Sequence, residues 1–338
     1  TFSLSGLADR FEASRIFTVS ALLGALFNAL FALSAEGLSS GLIWRFAVGF
    51  SLAGVYPLGM KMVVSWAPDR AGQTLAQLLA MLTLGTALPH GIRLAGADWS
   101  WQSSILVSSV LAVIAAGMIW SLGDGPHLKR QSGKSRIRLG HVLTAFTIPQ
   151  FRASALAYFG HMWEVYALWT LVPALVVVSG LAQPNTPAQS GIAFLVVGIG
   201  ALSCMLGGKL SQRFGSARVA AFALTGSVIS CALFPLMPID HPGWILALLL
   251  FWGATVVADS PQFSALSAKA APPDIVGSAL ALQNAIGFTI GMVSIQLGTA
   301  LVGTVDRYIA WLLLPGPVLA LWALAPLWQQ SFKPATPT

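Results

Sequence analysis

Charge is what this chain has least of. Asp, Glu, Lys and Arg make up only 9% of its 338 residues, where a water-soluble domain carries about 25%. Water is therefore not the solvent for most of its surface. Cysteine is nearly missing too. Cys204 and Cys231 both fall inside apolar runs, which argues against a disulfide framework and for buried free thiols. The sequence holds no Walker phosphate loop, no HExxH pair and no G-x-S-x-G elbow, so ATP hydrolysis, zinc-protease chemistry and α/β-hydrolase chemistry have no foothold. No enzyme activity, cofactor or metal site is expected.

What the chain has instead is apolar length. Hydrophobic residues make up 56% of it and the mean hydropathy is +0.77. A helix of about 20 apolar residues crosses the hydrocarbon core of a bilayer. Ten such runs are expected, at 14–35, 40–66, 71–95, 99–122, 152–178, 187–211, 215–237, 243–268, 273–301 and 306–329. Pro57, Pro89, Pro173 and Pro261 lie inside runs and predict kinks or breaks there. The run lengths and the lack of alternation exclude a β-barrel. The fold class is all-α and integral to a membrane, multi-pass, with a cell-membrane location expected.

The net charge of +7 could suggest nucleic acid, but its placement does not. Arg10, Arg15, Arg70, Lys129, Arg130, Lys134, Arg136, Arg138, Arg152, Lys209, Arg213, Arg218, Lys269 and Lys333 fall on alternate connections, and the opposite ones hold little beyond Arg93 and Arg307. Basic loops stay in the cytoplasm, so both ends of this chain are expected there, and nucleic acid is not needed as a partner. The long polar connection is 123–151. Its part from Ile137 to Phe151 is mildly amphipathic, suiting a segment on the membrane surface or a lipid or regulator site.

Two charged turns between apolar runs are copies of each other. Ser5-Gly6-Leu7-Ala8-Asp9-Arg10-Phe11-Glu12-Ala13-Ser14-Arg15 matches Gly208-Lys209-Leu210-Ser211-Gln212-Arg213-Phe214-Gly215-Ser216-Ala217-Arg218 at an interval of 203 residues. Such a repeat marks two half-molecules of one design, as in many secondary transporters. Both turns resemble the G-x-L-a-D-R-x-G-r-r loop of the major facilitator superfamily. Arg45-Phe46-Ala47-Val48-Gly49 resembles that family's R-x-x-x-G motif, and the basic connection falls where its two bundles are joined.

The resemblance implies a two-bundle fold: an N-terminal bundle at 1–122, a cytoplasmic linker at 123–151 and a six-helix bundle at 152–332. The ten runs then correspond to the family's third to twelfth helices, with a genuine ten-helix protein as the alternative. Around Gly85 to Gly91 the family's Gly-Pro antiporter pattern is poor, since Leu88 precedes Pro89. The charged turns imply a conformational latch built from Asp9, Arg10, Arg15, Arg213 and Arg218, against a purely topological role.

Ionisable groups inside the runs are costly and mark function. His161 and Glu164 lie three apart on one helical face. A carboxyl near the midplane can bind and release a proton, so Glu164 and His161 are candidates for proton coupling. Asp259 beside Pro261 is a third, with capping of a broken helix as its alternative. Candidates for the substrate are Arg45, Tyr166, Trp163, Gln283, Asn284 and His90. Arg45 can also snorkel, His90 can pack, and Gln283 and Asn284 can stitch helices together. The expected function is proton-coupled secondary transport of a small polar or anionic organic solute by a monomer in contact with membrane lipids. Alternatives are a drug or metabolite efflux antiporter and a transporter-like sensor without flux.

Overall fold

The computed structural model describes residues 12–96, 99–128, 142–272 and 275–330. Among them there is no strand. The helices are α1 (Ala13–Ser34), α2 (Leu38–Leu52), α3 (Tyr56–Trp66), α4 (Ala71–Ala95), α5 (Trp101–Leu122), α6 (Pro149–Val178), α7 (Pro187–Phe214), α8 (Ser216–Leu233), α9 (Pro242–Ala258), α10 (Ser260–Ala270), α11 (Val276–Val305), α12 (Ala310–Leu313) and α13 (Pro315–Gln330). The helical, integral-membrane class expected from the sequence is what the chain adopts.

Nine stretches among the described residues are long and apolar enough to cross a membrane. The last of them, Val276–Trp328, has 53 residues, nearly 80 Å of helix at about 1.5 Å per residue, more than twice the hydrocarbon thickness. It is not one rod. Asp306 takes a left-handed φ of 49° and separates α11 from the α12–α13 return, so two expected runs lie inside this single stretch.

Two compact units are present. One comprises Thr1–Leu78 and Ala95–Ile137, the other Leu79–Leu94 and Arg138–Thr338. In the first, α1 packs on α5 and α2. The free N–H groups at the start of α1 are taken by a residue from far along the chain: Ser14 N–H donates to Asp124 Oδ1 at 2.7 Å and Ala13 N–H to Oδ2 at 3.2 Å. A carboxylate there also meets the positive end of the helix dipole.

In the second unit, α6 is the central post, packed on α13 and α11, while α7 packs on α9. Small residues set these distances. A Cβ on Gly160 would run into the Gly316 carbonyl oxygen, and one on Gly253 into that of Val196, so these helices meet backbone to backbone, as is common in lipid. The part of α4 from Leu79 onward belongs to this unit, with Ala87 against Gly198 of α7 and Thr83 against Gly200.

Candidate functional site

The site begins with a proline. Pro261 has no N–H to donate and its ring crowds the carbonyl four residues back, so the helix ends at Ala258 and restarts at Ser260. The carbonyl left over is that of Val257. It accepts from the Asp259 N–H and from the Cys204 thiol at 3.3 Å. Cys204 and Cys231 are both free and buried, in line with expectation.

The break leaves Asp259 inside the unit, at 1% exposure, opposite His161 at 2%. His161 Nδ1 lies 3.0 Å from Asp259 Oδ1. The approach is off the ring N–H direction, and neither atom has an aligned hydrogen bond, so the pair is an electrostatic contact. The other ring nitrogen is well aligned, with His161 Nε2 2.7 Å from Ser260 Oγ. One imidazole thus touches the residues on both sides of the break. The Asp259 backbone carbonyl accepts from Gln262 and Phe263 N–H, but its carboxyl makes no capping hydrogen bond to α10.

Glu164 lies halfway along α6 and is 1% exposed. Its Oε1 accepts from the Trp252 indole N–H at 2.6 Å, shorter than the ordinary 2.9–3.0 Å of an N–H···O bond. The Cys231 thiol is 3.6 Å from the same oxygen, and the buried Ser227 side chain stands near the carboxyl. Neither Trp252 nor Cys231 has measurable exposure. A carboxyl in such a place is held by neutral donors and can take up or lose a proton only when the packing around it opens. Lower on α6, Ser154 ties to α10 through the Phe263 carbonyl at 3.2 Å and Ser267 Oγ at 2.8 Å. The Ser154, His161 and Glu164 side chains therefore hold both pieces of the broken helix.

The other expected residues are distributed differently. Trp163 spends its indole N–H on the Leu312 carbonyl at 2.8 Å and so braces α6 against α12. Tyr166 packs against Trp169 and Phe288, with ring centroids at 5.3 and 5.6 Å. Gln283 is buried on the face of α11 that carries Gly287 and Gly291, which meet Tyr158, Met162 and Tyr166 of α6. Its side-chain oxygen has no hydrogen bond, while Asn284 beside it is half-buried. His90 is half-buried on α4, one turn before Arg93, which donates to Asn185 Oδ1 at 3.1 Å.

In the first unit, Arg45 is exposed. Its guanidinium carbon sits 3.9 Å over the Phe31 ring, and Nη1 donates to Asn28 Oδ1 at 3.2 Å. Asn28 is itself fixed by donation to the Ile105 carbonyl, Ser108 and Ser109. Of the charged turns, Asp9 and Arg10 lie outside the described residues. Arg15 pairs with Glu12, Arg213 is exposed with its guanidinium carbon 5.3 Å from the Phe214 ring centroid, and Arg218 is half-buried in the first turn of α8.

The sequence reading missed Trp252, Cys231 and Ser260 as partners of the buried ionisable groups. A tryptophan amid an apolar run gives no sign of which carboxyl it will meet 88 residues away. Ser260 was more accessible, since a hydroxyl between an acid and a proline inside an apolar run is unusual.

Known proteins agree with this architecture. Residues 1–296 match the Major Facilitator Superfamily. The putative niacin/nicotinamide transporter NiaP of Bacillus subtilis (strain 168) is 23% identical over 182 residues, a match covering 52% of this chain and 45% of that protein. The matched region is thus less than half the length of that relative. Two crystal structures of FucP, a fucose:proton symporter of E. coli, superpose over nearly the whole chain. A single-site variant gives a TM-score of 0.69 at 14% identity, covering 98% of this chain and 87% of that one. FucP in the outward conformation gives 0.70 at 15%, covering 97% and 86%. At such identities the likeness is one of fold. Helices of spanning length, a family match over residues 1–296 and a shared fold lead to one statement: this chain belongs to the major facilitator superfamily, whose members are transporters and not enzymes.

Proposed function

We propose that this chain is a proton-coupled secondary transporter of a small polar or anionic organic solute, working by alternating access of bundles at 1–122 and 152–332 joined by the 123–151 linker. The observation that carries proton coupling is the sealed group of Glu164, His161 and Asp259. Ionisable groups are costly inside a membrane-spanning bundle, and two carboxyls with an imidazole between helices are the kind of group that marks a proton pathway. The fucose:proton symporter of similar fold supports this reading. Because all three groups are at most 2% exposed, their protonation acts on the solute through helix packing and not through direct contact.

The solute is recognised elsewhere. Arg45, held over Phe31 and by Asn28, presents its remaining guanidinium donors for an anionic group. In the second unit the candidates that keep accessible surface for the solute are His90, Trp163, Tyr166 and Asn284, while Gln283 is buried on the α11 face turned to α6. Asp9, Arg10, Arg15, Arg213 and Arg218 latch the cytoplasmic side in one state, with both ends of the chain on that side. The related niacin/nicotinamide transporter fits a small polar cargo.

The test is Glu164→Gln in proteoliposomes with an imposed pH gradient. This variant removes the titratable proton and preserves size. It is expected to lose concentrative uptake driven by the gradient and to keep solute exchange at equal pH. Accumulation at the wild-type level would remove Glu164 as the proton carrier.

A further inference from the structure

The α6–α13 pair carries a second feature, away from the buried acids. The two helices touch backbone to backbone at Gly160 and Gly316. Toward the Pro149 end of α6, a cleft of about 390 Å³ opens between them. It exists because Ala153 on one side and Ala323 on the other are too small to fill it. Leu156, 44% exposed, and Trp322, 74% exposed, line its walls, and Gln150 and Arg152 stand at its mouth. The Arg152 guanidinium makes no hydrogen bond or ion pair to the described residues.

We propose that this cleft is a binding site for an anionic glycerophospholipid, its phosphate on Arg152 and an acyl chain between Leu156 and Trp322. Three features select that occupant. The mouth offers the Arg152 guanidinium, unpaired among the described residues, and a guanidinium pairs with phosphate through parallel N–H···O bonds. The walls are apolar and lie on an outward face, with a tryptophan of the kind that sits at the headgroup level. Basic pockets between spanning helices on the cytoplasmic side recur as sites for acidic lipid headgroups, and Arg152 belongs to the basic residues expected on that side from the sequence. A water-soluble anion would make no use of the apolar walls.

Native mass spectrometry of the detergent-purified chain tests this, with phosphatidylglycerol and phosphatidylcholine added at equal concentration. The wild type is expected to retain phosphatidylglycerol about fivefold better, the factor set by one basic residue near an anionic surface. Arg152→Gln is expected to erase that preference. Ala323→Phe, which fills the cleft, is expected to lower retention of both lipids, with thermal unfolding of the variant checking that the fold persists. Equal retention of the two lipids by the wild type, or an unchanged preference in Arg152→Gln, overturns the proposal. So does displacement of phosphatidylglycerol by millimolar inorganic phosphate, which would make the mouth a plain anion site.

Discussion

Two helix breaks, one in each half of the chain, share one backbone design and differ in what surrounds them. α2 and α3 are separated by Ala53–Val55, and α9 and α10 by Asp259 alone. The second fragment has 11 residues in both cases, with a proline as its second residue. Pro57 and Pro261 lie 204 residues apart, against 203 for the charged turns. The break is thus part of the repeat. Its surroundings are not. At the first break a Cβ on Gly54 would collide with the Ser20 side chain, and Ser51 to Leu58 include no acid, basic residue or histidine. At the second stand Asp259, His161 and Ser260, with Glu164 one turn along α6. A broken helix needs no carboxyl to exist, so Asp259 calls for another explanation than the break itself.

The largest effect is expected at the charged break. His161→Leu leaves the Asp259 carboxyl facing an apolar side chain, and losing one partner of a buried pair costs about 3–5 kcal/mol. Thermal or denaturant unfolding in detergent reads this directly. Asp259→Leu added to it is expected to recover most of the loss, because coupled neighbours are not additive. A cost below about 1 kcal/mol for His161→Leu would mean that the close contact carries no weight, and the two breaks would be energetically alike.

At the uncharged break the expected effect is smaller and steric. Gly54→Ala places a methyl group against Ser20, and overpacking of this kind costs about 1–3 kcal/mol. Ser20→Gly in the same chain makes room and is expected to restore stability. The corresponding residue of the second break is Ala258, so the substitution makes the first break more like the second in sequence. If Gly54→Ala is neutral alone, the close approach of α1 to this break is not what holds it.

Asp259→Asn separates charge from shape. It keeps the size of the side chain beside His161, and if Glu164 is the carrier, proton-driven accumulation is expected to fall by less than tenfold, under about 1.4 kcal/mol. Abolished accumulation, with exchange intact, would move the carrier role to Asp259.

Much of this was legible in the sequence, for definite reasons. Apolar runs announce spans because lipid leaves the backbone no partner but itself, and the prolines at 57 and 261 announce the breaks. His161 and Glu164 stood out because ionisable residues are rare in such runs. Contacts between distant segments left no local trace. Ser154 with Ser267, Trp252 with Glu164, and Asp124 at the start of α1 each join segments more than 80 residues apart. The Cys204 thiol on the Val257 carbonyl belongs with them. The turn at Asp306 was legible as a gap between runs, though not as a left-handed aspartate.

The smallest structural effect is expected at the charged turns, where the two copies also differ. The first keeps an acid at Asp9, and the second has Gln212 in its place. Arg213 is exposed and rests near the Phe214 ring at 5.3 Å, so Arg213→Ala is expected to change stability by no more than about 0.5 kcal/mol, as surface substitutions do. Its effect on transport is the informative quantity. A latch exists in one conformational state and is absent in the other, so removing it shifts the population between states and slows the cycle without weakening solute binding in equal measure. Arg10→Ala in the first copy is expected to slow it more, because that arginine has an acid beside it. Equal transport rates for wild type, Arg10→Ala and Arg213→Ala at matched expression would leave both turns with topology as their sole role, and the breaks as the only point where the two halves differ in function.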